Sequence, residues 1–391
     1  MDALYKGIRT ARFVDRPNRF VVHMEMDGKI VTAHMPNPGR MGELLYQGTL
    51  LYAAPHQRAG TKTAWRIVGV EREGEVILLD TSRCNDVAAH LIDSGCIPGW
   101  EGCHVVRREV TMGDSRFDLL LTDGKETFPV EVKSCTLFGK RGAMFPDAVT
   151  ARGRKHLIHL GKMGKEGRRA GLLILVHWDR ADWFLPDYHT DPDFAAAFYE
   201  YAPFIDWKAA AVKWTADFTL PQSARLLSYP EEVLAKEMGN RGDYLAILHL
   251  PEEKDIIIGK KGLVHFPRGY YVYVGSAKKN LDQRMAHHRH LRKRKHWHMD
   301  YLRAEAEWVG ILPVRTSFDL EHDLAQAVSS IADWTIPGFG CTDCACSSHL
   351  FGMKENPLHN RAFRKVEEDF RMNRLDELIE KDRSKGRPAA F

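Results

Sequence analysis

Two carboxylates and an amine in the middle of the chain have the types and spacing for phosphodiester chemistry. In Glu131-Val132-Lys133 the two-residue period of a strand puts Glu131 and Lys133 on one face and Val130 and Val132 on the other. Upstream, Ser115-Arg116-Phe117-Asp118 runs into Leu119-Leu120-Leu121, so a hairpin would bring Asp118 within cross-strand distance of Glu131. Paired carboxylates suit a hard divalent cation, Mg²⁺ or Mn²⁺, that polarises a phosphodiester and acidifies a bound water. Lys133 would orient that water or offset developing charge. Alone, the pattern would read as a surface salt bridge worth at most ~1 kcal/mol.

The surrounding charge changes that balance. Between residues 139 and 169, Lys140, Arg141, Arg152, Arg154, Lys155, Lys162, Lys165, Arg168 and Arg169 are set against only Asp147 and Glu166. Between 278 and 295, Lys278, Lys279, Arg284, Arg289, Arg292, Lys293, Arg294 and Lys295 meet only Asp282. The net charge of +4 is too small to imply a partner, but this clustering is the footprint expected for a polyanion, with a solvated basic face the equal alternative. The loop Met35-Pro36-Asn37-Pro38-Gly39-Arg40-Met41-Gly42 would present Arg40 from a rigid turn, although a plain tight turn explains its composition as well.

A second constellation lies further on. Tyr244 and Tyr273 on strands, Arg284 on a helix and Glu321 could form another site for metal-assisted attack on phosphate, with Glu321 on the cation. Aromatic strands packing a core explain the same residues. Gly275, ending the second strand, would let backbone approach a ligand. Cys341, Cys344, Cys346 and His349 could hold tetrahedral Zn²⁺, but four ligands within nine residues lack the second knuckle usual in structural zinc sites. A tight turn packing Phe339 and Phe351 is the preferred reading. His296, His298 and Asp300 read as phosphate-facing polar surface rather than a metal cluster.

The elements that must position these groups are set by turns and periodicity. Residues 1–83 read as five or so short strands, a small OB-like β-barrel whose Asp27-Gly28 pair closes a hairpin. Residues 84–229 read as mixed strand and helix: a helix at 85–91, strands at 105–110, 116–121 and 127–133, a helix at 148–160 and a buried strand at 171–176. A linker at 230–241 leads to an α/β domain at 242–352. A charged helical tail at 353–391 would dock through Phe363, Val366 and Phe370. No apolar run approaches the ~20 residues of a membrane span, and residues 1–6 lack the apolar core of a secretory signal. Seven cysteines without framework spacing point to reduced thiols and the cytoplasm. A homodimer is the default assembly.

Ser115-Arg116-Phe117-Asp118, Glu131-Val132-Lys133, the run from Ala143 through Phe145-Pro146-Asp147 and Arg152-Gly153-Arg154-Lys155-His156 to Leu157, and Pro36-Asn37-Pro38-Gly39-Arg40 resemble the sugar fermentation stimulation protein A family over roughly residues 8–235. The resemblance implies an OB-like module followed by a PD-(D/E)XK restriction-endonuclease-like core that binds DNA. It implies Asp118, Glu131 and Lys133 as the nuclease-type triad, Glu109 as an added acidic ligand, and Arg152 and Lys155 facing phosphates. It also brings the view of such proteins as regulators of sugar metabolism. Residues 242–352 resemble GIY-YIG-like proteins through Gly269-Tyr270-Tyr271-Val272-Tyr273-Val274-Gly275-Ser276, His296-Trp297-His298-Met299-Asp300 and Cys341 to Phe351. That resemblance implies catalytic positions at Tyr244, Tyr273, Arg284 and Glu321, with Asp243 and Val274 where isoleucines are usual. The expectation is therefore a DNA-binding protein with divalent-metal-dependent nuclease activity, gripping phosphates with Arg40, Lys140, Arg141, Arg152, Arg154, Lys155, Arg289, Arg292, Lys293, Arg294 and Lys295. The alternatives are a non-catalytic DNA-binding regulator of sugar-utilisation genes and an RNA-processing or repair scaffold.

Overall fold

The computed structural model describes residues 3–56, 63–292, 294–341, 344 and 346–384, so the phosphate contact expected of Lys293 lies outside the described residues. The chain forms two compact units, Met1–Glu231 with Ile379–Phe391, and Glu232–Leu378.

The first unit opens with β1 (Arg9–Asn18), β2 (Val21–Met26), β3 (Lys29–His34), β4 (Leu50–Pro55), β5 (Trp65–Arg72) and β6 (Glu75–Leu78). β1, β2 and β3 form a meander, β4 returns beside β1, and β5 pairs with β4 and, in parallel, with β3, which closes a five-strand OB-like barrel. Met26 faces Lys29 across Asp27 and Gly28, both at positive φ (53° and 72°), the conformation a two-residue hairpin demands. β1 was not legible as a separate strand, because RTARFVDRPN is mostly polar and carries the proline that normally marks a turn.

The barrel shares its core with the mixed α/β region of the same unit. α1 (Cys84–Asp93) precedes the antiparallel strands β7 (His104–Met112), β8 (Ser115–Thr122) and β9 (Thr127–Cys135). The short strands β10 (Leu137–Phe138) and β11 (Gly142–Phe145) lead to α2 (Ala151–Lys165), whose start is capped by the Thr150 hydroxyl accepting from Gly153 N–H. After α2 come β12 (Gly171–Val176), β13 (Trp183–Pro186), α3 (Pro192–Tyr201), β14 (Asp206–Ala211) and β15 (Arg225–Leu226). The sheet order is β15-β14-β12-β9-β8-β7, with β12 parallel to both β9 and β14. A strand flanked on both sides in parallel must be apolar on both faces, and every residue of β12 is buried. Val68 of the barrel and Leu78 of the adjoining β6 join Val87, Leu91, Phe128 and Leu173 in one cluster. At ~1.5–3 kcal/mol per fully buried large aliphatic or aromatic side chain, that cluster is what holds the β8–β9 hairpin in place.

The second unit contains α4 (Glu231–Glu237) from its second residue on, then β16 (Gly242–Leu250), β17 (Lys254–Ile257), β18 (Leu263–Phe266), β19 (Gly269–Ala277), α5 (Leu281–Arg289), α6 (His298–Glu305), β20 (Glu307–Arg315), α7 (Glu321–Ile331), β21 (Trp334–Thr335), β22 (Leu350–Met353), α8 (Arg361–Glu368) and the start of α9 (Leu375–Ser384). Its antiparallel sheet runs β20-β16-β19-β22-β21, and the insertion between the tyrosine strands is the β17–β18 ribbon. Alternate residues of β16 and β19 enter two cores. Tyr244, Ala246, Leu248, Tyr271 and Tyr273 meet Leu281, Met299 and Leu302, whereas Leu245, Ile247, Val272 and Val274 meet Leu324, Val328 and Phe363. Val366 and Phe370 pack on that second cluster, so the tail's apolar stripe docks on its own unit. Among the described residues no helix is long and apolar enough to cross a membrane.

Candidate active site

Antiparallel pairing of Leu119 with Val130 puts Asp118 level with Glu131 on the adjacent strand. The Asp118 carboxylate is half-buried. Its Oδ1 accepts from Asn85 Nδ2 of α1 at 2.9 Å, and its Oδ2 accepts from the Val132 N–H at 2.8 Å. Glu131 is buried, at 3% exposure, and its Oε1 accepts from both the Lys133 ammonium and His156 Nδ1, the latter at 2.6 Å from α2. Oε2 of Glu131 is buried and has no hydrogen-bond partner.

The two carboxyls are tuned in opposite directions. Burial, then the neighbouring Glu131 charge, pushes Asp118 above the usual carboxylate range. For Glu131 burial acts upward as well, but the His156 hydrogen bond and the Lys133 charge outweigh it and hold the acid below its ordinary value. A buried, uncompensated carboxylate oxygen costs ~1–3 kcal/mol, so the unpaired Oε2 of Glu131, on a residue level with Asp118, is an arrangement that a hard cation would stabilise. The donor set is all oxygen, which suits Mg²⁺, Mn²⁺ or Ca²⁺ over softer metals.

Sequence reasoning missed two of these residues. Asn85 lies 33 positions from Asp118 and His156 lies 25 from Glu131, so neither is in the strand pattern that exposed the acids. His156 lay inside the string that carried the family resemblance and one helical turn beyond Arg152, but no role was given to it.

The other expected groups divide. Glu109 is level with Asp118 on β7, but at φ +58° its half-exposed carboxylate is paired with Arg116 at 2.5 Å and does not join the acidic pair. Arg152 and Arg40 are exposed. Lys155 is exposed but pairs with Asp114 at 2.9 Å, Arg154 pairs with Asp193, and Arg141 bonds Asp182 and Glu380. The Arg40 loop is more than a turn. Asp147 Oδ2 accepts from the Arg40 N–H at 2.9 Å, Asn37 bonds the Leu79 carbonyl, and Arg16 bonds the Asn37 and Gly39 carbonyls. A Cβ on Gly39 would stand 2.2 Å from Asp147 Oδ2, so glycine is what lets the loop seat there.

In the second unit, Tyr244 and Tyr273 have ring centroids 6.3 Å apart, Arg284 donates to the Ser276 carbonyl at 2.8 Å, and Glu321 Oε2 accepts from the Ser276 hydroxyl at 2.6 Å. The four expected residues thus converge, but in a closed arrangement. Tyr244 is 1% exposed with its hydroxyl bonded to His288 Nε2 at 2.8 Å, and burial pushes its pKa well up, away from use as a base. The approach over Gly275 that was expected for a ligand is taken by Tyr244, since a Cβ there would lie 2.4 Å from its hydroxyl. Arg289, Arg292, Arg294 and Lys295 are exposed. Asp300 is not surface. It is 2% exposed and accepts from the His296 and Trp297 N–H groups, while His298 Nδ1 accepts from Gly340 N–H.

The cysteine motif changes membership. His322, Cys344, Cys346 and His349 bring one ligand atom each to within 4.8 Å of one another, and Cys341 stands outside that group. His322, on the first turn of α7, was missed because it is 22 residues from Cys344 and obeys no knuckle spacing.

Three family descriptions match this chain: the SfsA N-terminal OB domain over residues 14–79, the sugar fermentation stimulation protein RE domain over 82–215 and the domain of unknown function DUF123 over 243–372. The sugar fermentation stimulation protein homolog of Methanothermobacter thermautotrophicus is 36% identical over 185 residues, 47% of this chain and 77% of that protein. The homolog from Pyrobaculum arsenaticum is 42% identical over 186 residues, 47% of this chain and 78% of its own. Among solved structures, Pyrococcus furiosus SfsA, described as in complex with Ca²⁺, superposes with a TM-score of 0.52 at 27% identity, over 59% of this chain and 99% of that one.

Proposed function

The chain belongs to the sugar fermentation stimulation protein family, and on that premise we propose that its first unit binds DNA and hydrolyses phosphodiesters with a divalent cation held by Asp118 and Glu131. The observation that carries this reading is the buried Oε2 of Glu131 without a hydrogen-bond partner, beside a second carboxylate. The relative described in complex with Ca²⁺ supports a hard, oxygen-seeking cation in this family. When bound, Mg²⁺ or Mn²⁺ would supply Lewis-acid stabilisation of the phosphoryl charge and a more acidic water.

The chain's own groups supply the rest. Asn85 and the Val132 N–H hold Asp118 in one rotamer, and His156 does the same for Glu131, so the acids are oriented before substrate arrives. Lys133, 19% exposed, can leave Glu131 for a water or a phosphoryl oxygen. Arg152 and Arg40, exposed in the same unit, would hold backbone phosphates. None of the seven cysteines forms a disulfide, which supports a reducing, cytoplasmic setting.

The test is incubation of plasmid, single-stranded DNA and RNA with the full chain in Mg²⁺ or Mn²⁺, comparing wild type with Asp118→Ala and Lys133→Ala. Metal-dependent cutting lost in both variants supports hydrolysis at this site. Tight binding to DNA with no cutting in either metal would replace it with a non-catalytic DNA-binding regulator of sugar-utilisation genes.

A further inference from the structure

We propose that His322, Cys344, Cys346 and His349 hold one tetrahedral Zn²⁺, and that Glu321 is the carboxylate orienting His349 rather than a nuclease-type metal ligand. The four ligand atoms lie mutually within 4.8 Å. Zn–S and Zn–N bonds of about 2.3 and 2.0–2.1 Å imply tetrahedron edges of roughly 3.3–3.8 Å, and two edges are already close to that, Cys344 Sγ to His349 Nε2 at 3.5 Å and Cys346 Sγ to His322 Nδ1 at 3.1 Å.

His349 is 2% exposed, and its two ring nitrogens divide their work. Nε2 points at the Cys344 sulfur, and Nδ1 lies 3.3 Å from Glu321 Oε1. This is the order metal, imidazole, carboxylate in which a histidine donates its remote N–H to an acid and becomes a better ligand. Glu321 is itself held, its Oε2 accepting from the Ser276 hydroxyl at 2.6 Å. Oε2 of Glu321 is therefore hydrogen-bonded, and Oε1 stands within ion-pair reach of a buried imidazole nitrogen that has no hydrogen-bond partner of its own, on a ring that faces sulfur. Thiolate and imidazole donors select zinc over the hard cations suited to Asp118 and Glu131.

The ligands also come from two separate stretches of the chain. His322 starts α7, and Cys344, Cys346 and His349 precede β22. A shared ion would fasten the segment before β22 to the helix that packs Leu324 and Val328 into the core. Its role is structural, independent of hydrolysis in the first unit.

The experiment measures metal in the full chain purified without chelator, then follows Co²⁺ exchange by absorption. We expect one zinc per chain, and with Co²⁺ a visible ligand-field band together with a thiolate-to-cobalt charge-transfer band. Cys346→Ser and His322→Ala should each lose the metal, whereas Cys341→Ser should keep it with unchanged spectra. Glu321→Gln should keep the charge-transfer band but release zinc to a competing chelator at about 10–100-fold lower affinity than wild type. Because a cysteine variant can misfold, chelator is also titrated into the wild type. Loss of helical signal or lowered melting temperature, restored by Zn²⁺ and not by Mg²⁺, supports the site. Absence of retained metal, no thiolate-to-cobalt band, a disulfide between Cys344 and Cys346, or loss of metal in Cys341→Ser equal to that in Cys346→Ser would each overturn it.

Discussion

Glu131 in the first unit and Glu321 in the second were both expected from the sequence to hold a cation, and their oxygens are used differently. Glu131 gives Oε1 to Lys133 and His156 and keeps Oε2 buried without a hydrogen-bond partner. Glu321 gives Oε2 to Ser276 and faces His349 with Oε1. The difference lies in the neighbours. Glu131 has a second carboxylate as its neighbour, so its unsatisfied oxygen would be stabilised by a hard cation, whereas Glu321 has an imidazole that leads on to sulfur. Under the proposed reading, a carboxylate is left to a hard cation only where its remaining lone pairs have no other partner.

Glu131→Gln tests this contrast most directly. Removing the charged ligand should lower Mn²⁺-dependent plasmid cleavage by roughly 10²–10³-fold and weaken Ca²⁺ binding measured by calorimetry. Undiminished cleavage would remove the distinction between the two glutamates. A smaller effect is expected from His156→Asn, which takes away a positioning hydrogen bond and leaves both acids. Cation affinity should fall about 10–100-fold, and the pH at which cleavage is half-maximal should rise, because Glu131 loses the partner that lowers its pKa. If the pH profile stays fixed while activity falls, His156 only packs.

Phosphate contacts should cost less and act uniformly. Arg152→Ala is expected to weaken duplex binding for every sequence tried and to reduce the slope of log affinity against log salt by about one. Lys155→Ala should do less, since Lys155 is already paired with Asp114. Binding measured by fluorescence anisotropy between low and physiological salt separates them, and equal effects would argue that the Asp114 pair opens on DNA.

The smallest effects are on stability, where His177 and Asp243 should contribute with opposite pH dependence. Burial pushes His177 in the first unit down to about 3, so between that value and the ordinary ~6.5 of a histidine the unfolded chain binds more protons. Stability from His177 is therefore intact above ~6.5 and lost as pH falls, by at most ~1.4 kcal/mol per pH unit. Burial, then the Glu321 charge, pushes Asp243 in the second unit up to about 7, so the folded state binds more protons between the ordinary carboxylate range and 7. Its contribution is intact at the acid end and lost as pH rises towards 7. His177→Gln should flatten the acid limb of the first unit and Asp243→Asn the neutral limb of the second, read by peptide-resolved hydrogen exchange. Limbs left unchanged by these two substitutions would contradict the assigned environments.

Much of the fold was legible along the chain because it depends on local rules. A period of two aligned Glu131 with Lys133, an Asp-Gly pair marked the β2–β3 turn, and an all-apolar run marked β12 as a strand buried on both faces. The helical stripe of Phe363, Val366 and Phe370 likewise predicted its own docking. The barrel strand β1 was illegible, since its polar residues become strand only through pairing with β2 and β4.

What sequence determined by itself, then, is which residues carry the chemistry and which face of a strand they occupy, because side-chain type and backbone period are properties of a few neighbouring positions. Tertiary structure decided which of them meet. It brought Asn85 and His156 to the two acids, turned Glu109 to Arg116, sealed Tyr244 against His288 and set His322 beside Cys344, Cys346 and His349. Those choices arise from the packing of helices on sheets, which joins positions tens of residues apart at hydrogen-bond distance, where each partner's burial and charge settle what a carboxylate or a thiol can do.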